Sequence, residues 1–493
     1  MVNKNEILIP PELQSPNIES LVAQHKTSPA TIEETVESAY ARVDLLNPRI
    51  NAIVQDFRES ARERARYLSA NAEKYADSAL YGVPVTIKES FTYKSTPTTL
   101  NFPPLKNYQP EQSSILAQRL EDAGAIIIGK TNIPTMLSDC QSFGPLYPTA
   151  CNPYDTDRTP GGSTGGGAAS LAAEFAYAEI GSDIGGSIRN PANFCGLFGL
   201  KPSTNGHVHD GHIPPMPNKG NGFTALNSTG PLARTMGDLK AIYSVCYQPL
   251  VQYQQYMKVE TNTAHHNDLS GYKIAYFDSI KDIHCSRATQ EGLNRIVKKL
   301  EQEGASVTKI KVDEQLVERS LACWVKIFGF VCGQDFPWAI RKVMQFKFGQ
   351  DLKRSSINAK KELAEGLSLD FAEYSKALLE QKECIAEFYQ LFDDYDFILS
   401  PTSVGPAFQH NHKHKDIELE GQHYSYTDYC FAFVMLYNLL GLPVLCVPSG
   451  LDEKLNLPVG ISVAAPHHSE EQLLHFGELL ENAGFGFVPP QID

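Results

Sequence analysis

The chain has 493 residues, 42% hydrophobic and 20% charged, the balance of a soluble globular protein with a large core. Its 43 Lys and Arg against 57 Asp and Glu leave a formal charge of −14, which argues against nucleic acid as the main partner, because phosphate binding needs a basic face. Ten scattered cysteines with no C-x-x-C pair predict reduced thiols in a cytoplasmic compartment rather than a disulfide framework.

The N-terminus, Met1 to Pro11, lacks a basic region followed by an apolar run, so it does not read as a signal peptide. Residues 15–75 read as helices. Ser15-Pro16 fits an N-cap with proline at the first helical position. Thr31-x-x-Glu34 fits a capping box, Ile32, Val36, Tyr40 and Val43 recur at helical spacing, and Asn47-Pro48 predicts the stop. Glu59 to Tyr75 reads as a more polar surface helix.

Val83, Val85 and Ile87 predict a short buried strand with Lys88 at its end. A helix over Ile115–Gly124 and a strand over Ala125–Ile128 complete a helix-to-strand α/β unit. Then comes Thr159-Pro-Gly-Gly-Ser-Thr-Gly-Gly-Gly-Ala-Ala-Ser170. So much glycine lets the backbone turn sharply, and a small-residue helix over Gly165–Phe175 follows. A strand over Ala176–Ile180 leads into Gly181-Ser-Asp-Ile-Gly-Gly-Ser187-Ile-Arg189, a second glycine-flanked serine.

Further on, a strand at Gly271–Phe277, an amphipathic helix at Ala288–Glu303 and a strand at Val307–Val312 imply parallel pairing. Residues 315–395 read as a helical insertion with aromatic residues at Trp324, Phe328, Phe330, Phe336 and Trp338. The apolar stretch Phe431–Gly450 is broken by Asn438, Gly441, Pro443 and Pro448, and reads as a buried helix and strand rather than a membrane span. Strands at Asp396–Pro401, Leu442–Pro448 and Gly460–Ala464 precede a last helix at Glu470–Ala483. The expected architecture is α/β: a mixed, mostly parallel sheet covered by helices on both faces. An N-terminal helical segment, 1–75, packs on a single large domain, 76–490.

Each candidate site residue has a plain reading beside the chemical one. A lysine at a strand end is ordinarily solvated, and a serine among glycines is ordinarily a turn former. Gly161-Gly-Ser-Thr-Gly165 also fits the G-x-S-x-G elbow of α/β-hydrolases, which needs a strand immediately before it; Asp155–Pro160 does not read as one. His207, His209, Asp210 and His212, and likewise His410, His412 and His414, have metal-ligand chemistry but no standard zinc spacing, and read as solvated loops.

Taken together, Arg158-Thr-Pro-Gly-Gly-Ser-Thr-Gly-Gly, Gly181–Arg189 with its continuation to Lys201-Pro202, and Gly82-Val-Pro-Val-Thr-Ile-Lys88 resemble the amidase signature family. The resemblance extends to Gly129–Asn132, Gly230–Arg234, Ser400–Thr402 and Gly441–Pro443, most of residues 30–485. It implies a hydrolase that cleaves an amide C–N bond through a seryl acyl-enzyme. Ser187 is then the nucleophile, Ser163 the bridging serine after a cis peptide bond, and Lys88 the general base. The backbone amides of Ile184, Gly185 and Gly186 form the oxyanion hole. Thr164, Asp183 and Arg189 support the site. The sequence departs from the family at Thr164, where serine is common. The physics agrees: a serine hydroxyl needs an adjacent base, and lysine serves as one only when burial makes it neutral.

The resemblance implies no cofactor and no metal, a small-molecule amide as substrate, no nucleic acid and no membrane span, and it is compatible with a homodimer. Two other readings use the same scaffold. One is a transamidating component, like the A subunit of an amidotransferase, that works with partner subunits. The other is a non-catalytic binding protein. The acyl pocket is expected from 136–142, 205–225 and the helical insertion.

Overall fold

The structure, a computed structural model, describes residues 16–204, 206, 209–214, 225–247, 266–334, 336–357 and 359–491. Eleven strands form one sheet. In chain order they are β1 (Ile53–Asp56), β2 (Pro84–Lys88), β3 (Ile126–Thr131), β4 (Ala178–Asp183), β5 (Phe198–Lys201), β6 (Ser228–Ala233), β7 (Lys273–Tyr276), β8 (Ser306–Lys309), β9 (Phe397–Pro401), β10 (Val444–Leu451) and β11 (Pro458–Ala464). The spatial order is β1-β3-β2-β4-β6-β5-β10-β11-β9-β7-β8.

The sheet is mixed, as expected, with parallel pairing in two blocks. β3, β2 and β4 run parallel, as do β9, β7 and β8. The six remaining pairings, including the centre through β6, β5, β10 and β11, are antiparallel. The connections explain the difference. β10 returns into β11 through a short loop, which joins antiparallel strands, whereas β7 reaches β8 through the helix Arg287–Gln302. The β2, β3 and β4 residues are all buried, as expected of parallel strands covered on both faces. Alternate residues of β9 and β10 enter different clusters: Phe397, Leu399, Leu445 and Val447 one, Ile398 and Val444 another. The period of two sends them to opposite faces of the sheet, each covered by helices.

Some local signals resolve differently. Ser15 lies outside the described residues; the first helix is Ile18–Thr27, and Asn17 caps it by accepting from the Ser20 amide. The capping box does not form, because Thr31 is already inside the helix and its hydroxyl donates to the Ser28 carbonyl. That helix runs through Pro48 to Ile50 and ends on Asn51, whose left-handed conformation turns the chain. The helical insertion consists of Glu314–Gly333, Trp338–Arg354, Lys360–Gly366 and Phe371–Tyr389. The stretch at Phe431–Gly450 is the end of a buried helix, Tyr426–Leu440, followed by β10. Among the described residues no helix is long and apolar enough to cross a membrane.

Candidate active site

β2 and β4 pair in parallel, so their C-terminal ends lie side by side. β2 ends on Lys88, and β4 ends on Ser182 and Asp183. Strand carboxyl ends are where α/β sheets place their sites. The glycine-rich loop brings Ser163 between them. The Gly162–Ser163 peptide bond is cis. Gly161 has φ +94°, and a Cβ there would meet the Pro191 backbone at 2.8 Å. Gly166 packs so tightly on Asn132 that a Cβ would come within 2.2 Å of its amide. The glycines therefore let elements approach, and no strand precedes the loop, only isolated bridges between Asn152 and Asp155 and between Arg158 and Gln409. The strand-borne elbow is absent.

Lys88 is fully buried. Its Nζ lies within hydrogen-bond distance of Ser163 Oγ at 2.7 Å, Ser182 Oγ at 2.9 Å and the Ser182 carbonyl at 3.3 Å. Burial pulls its pKa down to about 7 against the charges of Asp183 and Glu179. At neutral pH a large fraction is the free amine, which a general base requires. Glu179 is buried below it, accepts from Thr131 Oγ1 at 2.6 Å, and is pushed up to about 7 by desolvation.

Ser187 is joined to the Ser163 loop through the backbone. The Thr164 amide donates to the Ser187 carbonyl at 3.2 Å, which ties the two serine loops together. Asp183 shapes the turn that carries Ser187: its carboxylate accepts from the amides of Gly186 (2.7 Å), Ile188 (3.1 Å) and Arg189 (3.3 Å). Burial alone would raise the Asp183 pKa, but the Arg189 charge and hydrogen bonds hold it well below the carboxylate range. One expectation changes here. The Gly186 amide donates to the Asp183 carboxylate at 2.7 Å, which competes with a place in the oxyanion hole. Ile184 and Gly185, by contrast, line the pocket in front of Ser187.

That pocket holds about 100 Å³. Its apolar wall includes Trp324, Phe328, Phe431 and Met435. Trp324 stacks on Phe328, with ring centroids 4.7 Å apart, and its Nε1 donates to the Ile184 carbonyl at 3.1 Å. Phe330 instead stacks on Tyr374 in the core. A polar group also lines it: His414 is held between Asp139 (2.7 Å) and Asp351 (2.8 Å), and Tyr426 donates to Asp139. Of the expected pocket segments, 136–142 contributes Leu137, Ser138 and Asp139, and the insertion contributes Trp324 to Leu363. Most of 205–225 lies outside the described residues, His207 among them.

His209 and His212 are described, and His212 was missed as a neighbour of the site: its Nε2 lies 2.9 Å from Ser182 Oγ. His410 meets the Thr156 carbonyl and His412 stacks on Phe143. Among the described residues no trio of His, Cys, Asp or Glu is arranged to hold a metal ion.

The Amidase family model matches residues 34–474. The A subunit of the Halothermothrix orenii glutamyl-tRNA(Gln) amidotransferase is 29% identical over 489 residues, covering 94% of this chain and 96% of its own. The solved structure of the corresponding A subunit from Thermotoga maritima has a TM-score of 0.75 at 22% identity, covering 98% of each chain. A bacterial aryl acylamidase of the amidase signature family has a TM-score of 0.76 at 21% identity, covering 96% and 97%.

Proposed function

The chain belongs to the amidase family, and on that premise we propose that it is an amide hydrolase working through an acyl-enzyme on Ser187. One observation carries the reading: a buried amine with a pKa near 7, 2.7 Å from Ser163 Oγ, behind a pocket that Ser187 lines.

Ser187 Oγ attacks the amide carbonyl. Its proton passes to Ser163, whose own hydroxyl proton moves to the Lys88 lone pair. The carbonyl oxygen becomes an oxyanion, stabilised by backbone amides in the 184–187 turn; that Ile184 and Gly185 line the pocket supports them as donors. One such donor is typically worth about 10²–10³-fold in turnover. The C–N bond then breaks, the leaving amine takes the proton back from Lys88 through Ser163, and water hydrolyses the ester by the same relay. No step calls for a cofactor.

The apolar wall suggests the acyl group. A mostly apolar cavity of about 100 Å³ suits a compact acyl group such as a benzoyl or short alkanoyl group. Trp324, Phe328, Phe431 and Met435 suit such an apolar group. Near full-length similarity to amidotransferase A subunits favours the second reading, transamidation with partner subunits.

Labelling with a serine-directed fluorophosphonate, with Ser187→Ala as control, tests the nucleophile. Turnover of a panel of amides by the purified chain alone, graded by acyl size, separates hydrolysis from partner-dependent transamidation. A Ser187→Ala variant that still labels overturns the reading.

A further inference from the structure

We propose that His212 is a positioning residue that aims the lone pair of Lys88 at Ser163, acting through the hydroxyl of Ser182. The inference rests on the reading of Lys88 as base and Ser187 as nucleophile.

The segment carrying His212 is fastened to the chain that leaves Lys88. Phe91 and His212 form an isolated antiparallel bridge, the Thr92 amide donates to the Gly211 carbonyl at 2.8 Å, and the Ile213 amide to the Ser90 carbonyl at 3.0 Å. The His212 ring lies edge-on to Phe91, centroids 5.0 Å apart, and the residue is 8% exposed.

The hydrogen bonds then fix one another in sequence. His212 Nδ1 faces the Pro214 carbonyl at 3.2 Å. A carbonyl only accepts, so Nδ1 carries the proton. Desolvation pushes the His212 pKa down to about 3, so the ring is neutral and Nε2 is bare. Nε2 therefore accepts the Ser182 hydroxyl proton across 2.9 Å. With its proton committed, Ser182 Oγ offers Lys88 only a lone pair, and the Ser182 carbonyl does the same. A neutral amine has two N–H bonds and one lone pair. Both N–H bonds go to Ser182, and the remaining direction, 2.7 Å from Ser163 Oγ, is the lone pair. Without His212, the Ser182 hydroxyl is free to donate into that lone pair, and the amine turns an N–H toward Ser163. Glu179 and Asp183 on β4 act on Lys88 through charge, and neither offers a bond to the Ser182 hydroxyl.

The test is the rate of fluorophosphonate acylation of the purified full chain, followed from acidic to mildly alkaline pH. In His212→Leu and in Ser182→Ala the plateau above neutral pH should each fall at least about tenfold. The double variant should be no slower than Ser182→Ala within about twofold, since His212 acts only through that hydroxyl. His212→Gln, whose amide oxygen accepts the Ser182 proton, should stay within about threefold of the parent. Losses that multiply in the double variant, or a His212→Leu plateau at the parent rate, overturn the proposal. The tautomer is checked independently of any variant by nitrogen NMR of the histidine-labelled protein: a neutral, Nδ1-protonated ring supports it, and an Nε2-protonated ring overturns it. Ser187→Ala and Lys88→Ala serve as controls. If they still label, the catalytic reading itself fails; if they do not while His212→Leu labels normally, only the assignment of His212 fails.

Discussion

The Asp183 carboxylate and the Arg189 guanidinium, both fully buried, meet as a two-pronged ion pair, with Arg189 Nη2 2.9 Å from Oδ1 and Nε 3.0 Å from Oδ2. The same carboxylate holds the amides of Gly186 and Ile188, so the pair braces the turn on either side of Ser187. Removing one partner leaves a buried unpaired charge. Arg189→Met is expected to lose about 3–5 kcal/mol in urea unfolding and to lose labelling of Ser187. A loss under about 1 kcal/mol would mean that the pair does not brace the site.

His414 supplies a pH-dependent contact between the helix Trp338–Arg354, which carries Asp351, and the loop of Asp139. Burial alone would lower its pKa, but the two carboxylates raise it to about 9. The folded value lies above the unfolded one near 6.5. The contribution is therefore fully present below about pH 6.5 and is lost as pH rises through about 9. It is on the order of 1–3 kcal/mol. Lys88, Lys130 and Lys201, whose pKa values are depressed, titrate partly in the same window with the opposite sign. The readout is thus the difference between the parent and His414→Phe, which should shrink from neutral pH toward pH 10. A constant difference would contradict the assignment.

Trp324 forms one wall of the pocket and bonds the Ile184 carbonyl. Trp324→Ala should lower kcat/KM for amides of small aromatic acids by about tenfold or more and shift preference toward longer acyl groups. Trp324→Phe, which loses the indole donor and part of the ring but keeps an aromatic wall, should cost about 1 kcal/mol, or severalfold. An unchanged acyl-length profile in Trp324→Ala would place the acyl group elsewhere.

The residues legible in sequence were those whose meaning is local. The helices of 315–395 announce themselves by composition, and the glycine-flanked serines and Lys88, ordinary when taken singly, stand out through the local motifs that together resemble the amidase signature family. What was illegible is set by contacts far apart in the chain. Nothing near His212 indicates that it meets Ser182, or that Ser182 meets Lys88, because those contacts span 30 and 94 residues. Asp139 and His414, 275 residues apart, are likewise joined only by the fold. Strand direction at the centre of the sheet was illegible for a similar reason: the apolar runs of β10 and β11 report burial on both faces, not the sense of pairing. The Thr31 box failed because a hydroxyl has competing local acceptors, and the Ser28 carbonyl won.

The central claim is that neutral Lys88 is the base. Its pKa near 7 predicts that the rate of fluorophosphonate acylation of Ser187 rises with pH to a plateau, with a midpoint near pH 7. Lys88→Ala should lose acylation near neutral pH. Lys88→Arg, which keeps the charge but has no lone pair to give, should lose it equally. A Lys88→Ala variant that is acylated at near-parent rate, or a parent profile flat across pH 6 to 8, would contradict the account.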